Sequence, residues 1–337
     1  MTVTARDVAR VAGVSVSTVS RALAKPDDVA PATREKVLTA ARGMGYLPNL
    51  AARGLVTGRT GIIGLVVPDL ENPFFASVTK GVQSRARTLG YAVIIADSDE
   101  DPSQEAELVR NLSKQVDGLV LCSPRADENV IVELSLGIPM VLVNRQCGDL
   151  PTVAIDNLVG IRQAMMHLRA LGHRRIAWVG GPVKSWSNTE RLVALEAFTA
   201  DHPDTEVVNV GSFQPYVSGG VAAGDLVIAS GATAVLAFND LVAFGLLDLF
   251  RQRGITVPAD ISVVGVDNIP MSALSSPPLT SVGIPLVTCG RASVDMLLGL
   301  VRDARTEPTH QHDLSFQLVV RDSSGPVRSL LAAAASA

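Results

Sequence analysis

The chain has few of the residues and patterns that mark exported, membrane-spanning or metal-binding proteins. Its 337 residues include only three cysteines and five histidines, and neither type forms a CxxC or HExxH pattern. We therefore expect no disulfide framework, no metal site and no redox chemistry. The longest apolar runs have the length of strands, far short of the about 20 residues that span a bilayer. The N-terminal MTVTARDVAR lacks the apolar segment of a secretory signal, which predicts a cytoplasmic protein without membrane association.

Catalytic and phosphate-binding motifs are missing as well. Val183 stands where a Walker loop would need glycine before Lys184, and no GxGxxG or GxSxG motif is present. His310 and His312 are the closest histidine pair, and their context, THQHDLS, favours loop residues over metal ligands. The sequence thus predicts neither an enzyme nor a bound cofactor.

The charge that is present is unevenly distributed. The formal net charge is -4, yet residues 1–60 hold nine Lys or Arg against four Asp or Glu, a balance of +5 that leaves -9 on the remainder. A small basic module joined to a larger acidic one is expected where only the first part approaches phosphates. The length of 337 residues predicts about two domains, with a smaller appended module, and a hydrophobic content of 47% is enough for a sizeable core.

The basic segment carries the start and stop signals of three short helices. Thr4 is placed to cap the first helix, Gly13 to end it and Ser15 to cap the second. A third helix begins near Pro31 and ends near Gly45. Two short helices joined through glycine indicate a helix-turn-helix. The second helix carries hydroxyl groups and an arginine that can approach base edges in a groove, and a plain solvated helix face is the alternative.

Two segments, DVARVAGVSVSTVSRAL and REKVLTAARGMGYLPNLAARGL, are similar to the DNA-binding domain of the lactose-repressor and galactose-repressor (LacI/GalR) family of bacterial regulators. The resemblance implies that the second helix enters the major groove of double-stranded operator DNA. It places Val16, Ser17 and Arg21 against the bases. It implies further that four residues engage phosphates, namely Ser15, Thr18, Tyr46 and Asn49.

The segment YLPNLAARGL is similar to the hinge of that family, a short helix that forms in the minor groove when two copies meet. Ala52 and Leu55 occupy the hinge positions, and Leu55 matches the leucine that wedges between base pairs. Independently of the resemblance, Pro48 disfavours helix at Leu47 and Gly54 weakens the helix that follows. So short a segment should therefore order only on binding. The alternative is that Leu55 packs onto the larger domain.

From residue 61 onward, apolar strand-like runs alternate with helical stretches. The predicted strands are 62–67, 92–96, 118–122, 140–143, 176–179, 207–210, 234–237 and 261–266. The predicted helices include 74–89, 104–114, 160–171, 241–253 and 287–301. Continuous apolar strands predict parallel sheets covered on both faces, and two successive sets predict two doubly wound subdomains with a cleft between them.

The resemblance extends through this larger part to about Pro326. Segments that include GIIGLVVPDLENPFF, LGHRRIAWVGGP, VPADISVVGVDN and LVVRDSSGP are similar to the family's effector domain, whose fold is that of type I periplasmic sugar-binding proteins. The resemblance places a small effector in the cleft, ringed by Phe74, Asn144, Trp186, Arg191, Asn239 and Asp267. Such groups can pair with adjacent hydroxyls, and an aromatic ring can cover the apolar face of a sugar. An ordinary structural role is the alternative for each of these residues.

The larger part also departs from the family pattern. Leu192 to Leu195 follow Arg191 where a glycine and a phenylalanine are usual, and Ile284 with Pro285 replaces the usual Gln-Pro. The terminal PVRSLLAAAASA lacks the heptads of a tetramerising coiled coil, so a homodimer is the simpler expectation.

These features together predict a transcriptional regulator, most simply a repressor, that binds its operator as a homodimer under the control of a small polar effector, first of all a carbohydrate. The predicted layout is a helix-turn-helix headpiece at 1–46, a hinge at 47–60, an effector and dimerisation domain at 61–326 with crossings between its subdomains near 155–160 and 282–290, and a tail at 327–337. The alternatives are a solute-binding protein of the same core fold, a sugar-converting α/β enzyme, and a purine- or nucleoside-responsive regulator. The sequence names neither the effector nor whether it acts as inducer or corepressor.

Overall fold

The structure is a computed structural model that describes residues 3–24, 28–46, 59–303, 310–311 and 316–328. Asn49, Ala52, Leu55 and His312, together with residues 329–337 of the tail, lie outside the described residues. The chain divides into a small N-terminal unit, which runs to Ile62 and includes 115–117, and a larger α/β unit. Within the described ranges, no helix combines the length and the apolar character needed to cross a bilayer.

The N-terminal unit contains three helices, α1 (Ala5–Ala12), α2 (Val16–Ala24) and α3 (Pro31–Gly43). Each helix contributes one fully buried valine to a shared core, namely Val8, Val19 and Val37. Because a core of this size is small, the three helices depend on one another for their stability. The predicted all-α headpiece is confirmed.

The ends of these helices follow the sequence signals. The carboxylate of Asp7 accepts hydrogen bonds from the backbone N–H and the hydroxyl of Thr4, at 3.0 and 2.7 Å, which fixes the start of α1. The hydroxyl hydrogen bond is the main reason why the pKa of Asp7 is lowered. Gly13 ends α1 with a φ of 69°, a left-handed conformation that suits glycine.

The larger unit alternates strands and helices. Its strands are β1 (Ile62–Val67), β2 (Ala92–Asp97), β3 (Gly118–Cys122), β4 (Met140–Val143), β5 (Thr152–Val153), β6 (Arg175–Gly180), β7 (Glu206–Ser212), β8 (Ala234–Ala237), β9 (Ser262–Asp267), β10 (Thr280–Gly283), β11 (His310–Gln311) and β12 (Gln317–Val319). Its helices are α4 (Pro73–Thr88), α5 (Pro102–Leu112), α6 (Glu128–Ser135), α7 (Asn157–Ala170), α8 (Trp186–Asp201), α9 (Val217–Ala229), α10 (Asp240–Gln252) and α11 (Leu286–Arg302).

In the described chain the strands form two six-stranded sheets, in the orders β11-β5-β4-β3-β1-β2 and β12-β10-β9-β8-β6-β7. The central pairs are parallel, such as β1 with β3 and β8 with β9, whereas β12 runs antiparallel to β10. We call the sheet with β1 and its helices the first subdomain, and the sheet with β6 and its helices the second subdomain. The predicted fold class, a headpiece followed by two doubly wound parallel-sheet subdomains, is confirmed.

The chain changes sheet repeatedly near its end. After β10 in the second sheet, α11 packs on the first subdomain, β11 joins the first sheet and β12 returns to the second. Sequence patterns did not predict β5, β11 or β12, which have only two or three residues, or β10, whose sequence TSVG contains a single large apolar residue. His310, expected in a loop, instead begins β11 and pairs with Thr152 of β5.

Two pairs of helices cross at glycines. Gly81 of α4 faces Gly290 of α11. A Cβ added to Gly290 would lie 2.2 Å from the carbonyl oxygen of Val78. In the second subdomain Gly220 of α9 faces Gly245 of α10, with added Cβ atoms only 2.0 Å from backbone carbonyl oxygens. Because these neighbours are backbone atoms, neither crossing leaves room for a side chain.

A buried histidine holds the last described segment to the second subdomain. His173 is 2% exposed, with Nδ1 2.9 Å from the hydroxyl of Thr233 and Nε2 3.0 Å from the carbonyl oxygen of Gly325. A carbonyl only accepts, so the neutral ring carries its proton on Nε2 and accepts from Thr233 at Nδ1. Burial lowers the pKa of His173. The neutral ring is therefore the form that the fold stabilises.

We expect acidification from pH 7.5 to 5.5 to destabilise the protein in part through His173. Histidine in the unfolded chain takes up a proton near pH 6.5, and burial keeps the folded-state pKa below that value. The contribution is therefore complete above about pH 6.5 and is lost as the pH falls further. Melting temperatures measured against pH should fall less steeply for His173→Gln than for wild type. The buried Asp240, whose pKa is raised to about 6, makes the fold more stable as the pH falls. This contribution is the same in both proteins, so it cancels when their melting curves are compared. Parallel curves would contradict the assignment.

Candidate functional site

One side of α2 is exposed, polar and basic. Ser17 and Arg21 are exposed, and Val16 is 44% exposed although it is apolar. The hydroxyl of Ser15 accepts a hydrogen bond from the backbone N–H of Thr18 at 3.1 Å, which caps α2 as predicted. The Nε of Arg21 donates to the carbonyl oxygen of Ser17 at 3.4 Å, a weak contact that leaves most of the guanidinium available. The helix therefore presents a cation, hydroxyls and one apolar side chain within two turns.

These groups suit a nucleic-acid groove. An arginine can donate two parallel hydrogen bonds to guanine, an apolar side chain can contact a thymine methyl, and hydroxyls can donate to phosphates. Tyr46 follows α3, with its backbone N–H bonded to the carbonyl oxygen of Ala41 at 2.9 Å and its side chain half-buried against the helices. The base and phosphate contacts assigned from the sequence stay predictions. Asn49, Ala52 and Leu55, as stated above, are outside the described residues.

A cavity lies between the two subdomains, at the carboxyl ends of their strands. Five predicted effector residues line it, and each is at most 5% exposed: Phe74, Asn144, Arg191, Asn239 and Asp267. Trp186 begins α8 half-buried, and its neighbours Ser185 and Ser187 line the cavity instead. The predicted place of Trp186 beside the effector therefore stays a prediction.

Arg191 and Asp267 supply opposite charges to the cavity wall. The Nε of Arg191 donates to Oδ1 of Asn157 at 3.0 Å, its Nη1 donates to the carbonyl oxygen of Phe238, and its guanidinium lies 4.9 Å from the centre of the Phe238 ring. Burial lowers the pKa of Arg191 and raises the pKa of Asp267 well above its usual range, while each opposes the shift of the other. Polar groups with so little water around them favour ligands that both donate and accept hydrogen bonds.

Asn144 has an unsatisfied acceptor in the same wall. Its Nδ2 donates to the hydroxyl of Ser123 at 2.8 Å, whereas its buried Oδ1 has no partner among the described residues. An unpaired buried acceptor costs about 1 to 3 kcal/mol. A ligand hydroxyl that donates to this oxygen would recover that free energy.

Backbone strain is concentrated around this cavity. Six non-glycine residues of the described chain have a positive φ, and four of them line the cavity: Glu100, Ser123, Asn144 and Asp267. The other two, Asp99 and Asn268, are their direct neighbours in sequence. Such conformations cost on the order of 1 to 3 kcal/mol each and persist where the surroundings enforce them, commonly at ligand sites.

Sequence patterns did not identify a second charged group in the wall, formed by Glu100 and Arg125. The guanidinium of Arg125, 5% exposed, donates to both carboxylate oxygens of Glu100 at 2.6 and 2.9 Å. Glu105 accepts hydrogen bonds from the backbone N–H groups of Arg125 and Ala126 at 2.8 and 3.0 Å, which fixes the loop after β3. Burial raises the pKa of Glu105. Charged residues in loops look solvated from sequence alone, so their burial had no signal.

Asn239 lines the cavity but is also a structural residue. Its Oδ1 caps α10 by accepting from the backbone N–H of Val242 at 2.9 Å, and its Nδ2 donates to the carbonyl oxygen of Pro215 at 3.0 Å. The next residue, Asp240, accepts from the backbone N–H of Ile269 and the hydroxyl of Ser281, at 2.9 and 2.6 Å. Asp240 thereby anchors the loop that follows Asp267, another role that sequence patterns did not predict.

Comparison with known proteins adds to this geometry. A family model of bacterial regulatory proteins, lacI family, matches residues 4–49, and a model of periplasmic binding protein-like domains matches residues 165–324. The chain is 32% identical over 338 residues to the HTH-type transcriptional regulator DegA of Bacillus subtilis, which covers 98% of this chain and 100% of that protein. It is 35% identical over 303 residues to the HTH-type transcriptional repressor CytR of Escherichia coli, covering 88% and 89%.

A solved structure is similar over nearly the whole chain. The lac repressor dimer bound to operator and the anti-inducer ONPF superposes with a TM-score of 0.87 at 28% identity, covering 96% of this chain and 100% of that one. These relatives are regulators of transcription, not enzymes.

Proposed function

Since this chain belongs to the LacI family and is a DNA-binding transcription regulator rather than an enzyme, we propose that it is a repressor whose operator affinity is set by a small polyhydroxylated effector. One observation carries the proposal: the same chain has an exposed basic face on α2 and a buried, strained cavity that contains both Arg191 and Asp267. The three N-terminal helices argue against a free solute-binding protein, which has no use for them. We place its action in the cytoplasm, where the DNA is.

The DNA-binding half of the proposal uses two copies of the chain. In a homodimer, each α2 lies in the major groove of one half-site of a near-palindromic operator, with half-sites about one helical turn apart. Val16, Ser17 and Arg21 contact the bases, while Ser15, Thr18, Tyr46 and Asn49 bind phosphates. Ala52 and Leu55 bind in the minor groove, where Leu55 opens a central base step and bends the duplex.

The effector half of the proposal uses the cavity. Arg191 donates hydrogen bonds to hydroxyl oxygens, Asp267 and Asn144 accept from hydroxyl groups, and Phe74 covers an apolar ring face. Adjacent hydroxyls on one ring can satisfy all of these groups at once, which favours a sugar or a sugar derivative. The two subdomains can adopt different angles, and an effector can bind one of these conformations more tightly than the other. The difference between the two affinities then sets how far the effector shifts the population of dimers that can bind DNA.

The proposal is tested by gel shifts on the DNA upstream of the protein's own gene, with and without sugars, polyols and nucleosides. We expect a specific complex in the nanomolar range of a typical operator, and at least one compound that changes it. The same compound should raise the melting temperature of the protein without DNA, because it binds only the folded state. Binding to unrelated DNA with equal affinity would contradict the proposal.

Arg21→Ala should relax base preference at one position of each half-site. The lost bidentate contact is worth about 1 to 3 kcal/mol of discrimination, so affinities for operators that differ there should converge, while other positions keep their preference. The matched control is Arg42→Ala, which removes another exposed arginine of the headpiece, on α3. Equal weakening on every operator variant would instead make Arg21 a phosphate contact.

A further inference from the structure

A single carboxylate holds the backbone where the chain enters β1. Asp117, in the bend before β3, accepts two hydrogen bonds at Oδ1, from the backbone N–H of Thr60 at 2.6 Å and from its hydroxyl at 2.9 Å. Its Oδ2 accepts from the backbone N–H of Gly61 at 2.9 Å. In the other direction, the backbone N–H of Asp117 donates to the carbonyl oxygen of Ile62 at 2.7 Å. We call Thr60, Gly61 and Asp117 the junction.

The backbone of the junction is shaped to bind this carboxylate. The hydroxyl oxygen of Thr60 also accepts from the backbone N–H of Ile62 at 3.1 Å, which closes the turn. Gly61 has a φ of 70°, the left-handed region that favours glycine, and two successive backbone N–H groups point at one anion there. Hydrogen bonds to a carboxylate are roughly twice as strong as those between neutral groups. The junction is therefore stiff, although its three residues are only half-buried.

The junction lies at the amino ends of two central strands of the first sheet. β1 begins at Ile62 and β3 at Gly118, and the two strands pair in parallel from Ile63 and Gly118 onward. All residues of β3 are buried. Beyond their carboxyl ends, the same strands lead to Asn72 and Ser123, which line the effector cavity. Two paired strands thus run without a break from the junction to the wall of the cavity.

The junction is also the point where the hinge, predicted at 47–60, joins the effector domain. Each protomer of a dimer has one such point, and the separation of the two points limits where the two α2 helices can lie. Without Asp117, Thr60 and Gly61 would become free residues, each extending the reach of the chain by up to about 3.5 Å. One base pair spans about 3.4 Å. A released junction would therefore let each headpiece reach half-sites that are one base pair out of register.

We propose that Asp117 is a positioning residue for operator recognition. By holding Thr60 and Gly61, it fixes the point from which the hinge departs in each protomer, and it thereby restricts the dimer to one spacing of the half-sites. Asp117 acts through the junction rather than by contact with the DNA. The proposal rests on the proposed function, since it needs a dimer that binds two half-sites. The alternative role for Asp117 is to stabilise the fold without influence on spacing.

Three operators that differ only in spacing test the proposal: the one found upstream of the gene, and versions with one base pair inserted or deleted at its centre. Each change moves one half-site by about 3.4 Å and turns it by about 35°. Fluorescence anisotropy with the full-length protein measures the three affinities. We expect wild type to lose about tenfold or more on either altered spacing, and Asp117→Ala to lose about threefold or less. Asp117→Ala should also bind the natural operator more weakly, because a free junction must be ordered on binding.

Substitutions at Thr60 separate positioning from folding, because they leave the carboxylate in place. Thr60→Val keeps the size of the side chain but removes the hydroxyl that donates to Asp117, so its spacing selectivity should lie between those of wild type and Asp117→Ala. Thr60→Ser keeps the hydroxyl and should keep the selectivity of wild type. The matched control is Asp149→Ala, which removes an exposed carboxylate from the loop between β4 and β5 and should leave selectivity unchanged.

The outcomes distinguish this proposal from the one on which it rests. If Asp117→Ala weakened binding by the same factor on all three operators, Asp117 would only stabilise the fold and the proposal would be overturned. Equal wild-type affinity for the three spacings would overturn it as well. If Asp117→Ala failed to fold, the comparison of Thr60→Val with Thr60→Ser would decide, and equal selectivity of these two would count against the proposal. If wild type bound no upstream DNA specifically, the proposed function itself would fall, together with this inference.

Discussion

Gly290→Ala should lower the melting temperature by about 6 to 12 °C. The added methyl would lie 2.2 Å from the carbonyl oxygen of Val78 and 3.1 Å from Cα of Gly81, so α11 and α4 must move apart. Overpacking costs about 1 to 3 kcal/mol, and the upper value of about 3 kcal/mol applies here because the contacted atoms belong to the backbone. Each kcal/mol moves the melting temperature of a domain this large by about 2 to 4 °C, which gives the expected range. Differential scanning calorimetry measures the change.

The same helix offers a matched control for this substitution. Gly299 also lies in α11, and a Cβ placed on it would meet nothing within 4 Å. Gly299→Ala should therefore stabilise the protein slightly, because alanine favours helix by about 1 kcal/mol over glycine. Equal effects at the two positions would show that the close crossing of α4 and α11 does not limit stability.

Asp267→Asn should abolish the response to the effector while leaving operator binding in its absence unchanged. The substitution keeps the shape of the side chain but removes the charge that hydroxyl groups bind and that compensates Arg191. A hydrogen bond to a charged group is worth about 1.5 to 3 kcal/mol, so effector affinity should fall by about 10- to 150-fold. Titration calorimetry measures the affinity, and fluorescence anisotropy of a labelled operator measures DNA binding.

Two further variants separate binding from folding in this experiment. Asp204→Asn makes the same change at an exposed carboxylate, bonded to Arg169 at 2.8 Å, and should leave the effector response intact. The double variant Asp267→Asn and Arg191→Met leaves no buried charge without its partner. It should therefore have a higher melting temperature than Asp267→Asn alone but should still not bind the effector. If Asp267→Asn alone still responded to the effector, the proposed role of Asp267 would be contradicted. If Asp267→Asn failed to bind operator, Asp267 would be a structural residue.

The sequence predicted local features well because short-range rules determine them. Helix ends depend on residues within one or two turns, as at the caps Thr4 and Ser15 and at the left-handed Gly13. The central strands likewise follow from apolar runs of a few consecutive residues. The two-residue strands β5 and β11 had no such signal, since their pairing depends on register between segments far apart in the chain. Features that depend on neighbouring residues were therefore predictable, and features that depend on pairing between distant segments were not.

The cavity was predictable only where family resemblance covered it. Five of its lining residues were expected, while the pairing of Glu100 with Arg125 was not, because it depends on burial created by both subdomains. The supports of the site were equally hidden: Glu105 and Asp240 are ordinary acidic residues in sequence, and only the fold shows that each fixes a loop of the cavity. The contacts of Val16, Ser17 and Arg21 with DNA remain predictions.

The return of the chain to the first subdomain through α11 has a consequence for synthesis on the ribosome. The three N-terminal helices are complete when residue 43 has emerged. The part of the first sheet that α11 covers, over β3, β4 and β5, stays exposed until α11, which carries the buried Cys289 and Leu297, follows more than 200 residues later. Chains fold from the N-terminus as they are made, and uncovered sheets invite aggregation. We therefore expect nascent chains that stall before α11 to carry a folded DNA-binding module without effector control, a liability that falls to chaperones and proteases to remove.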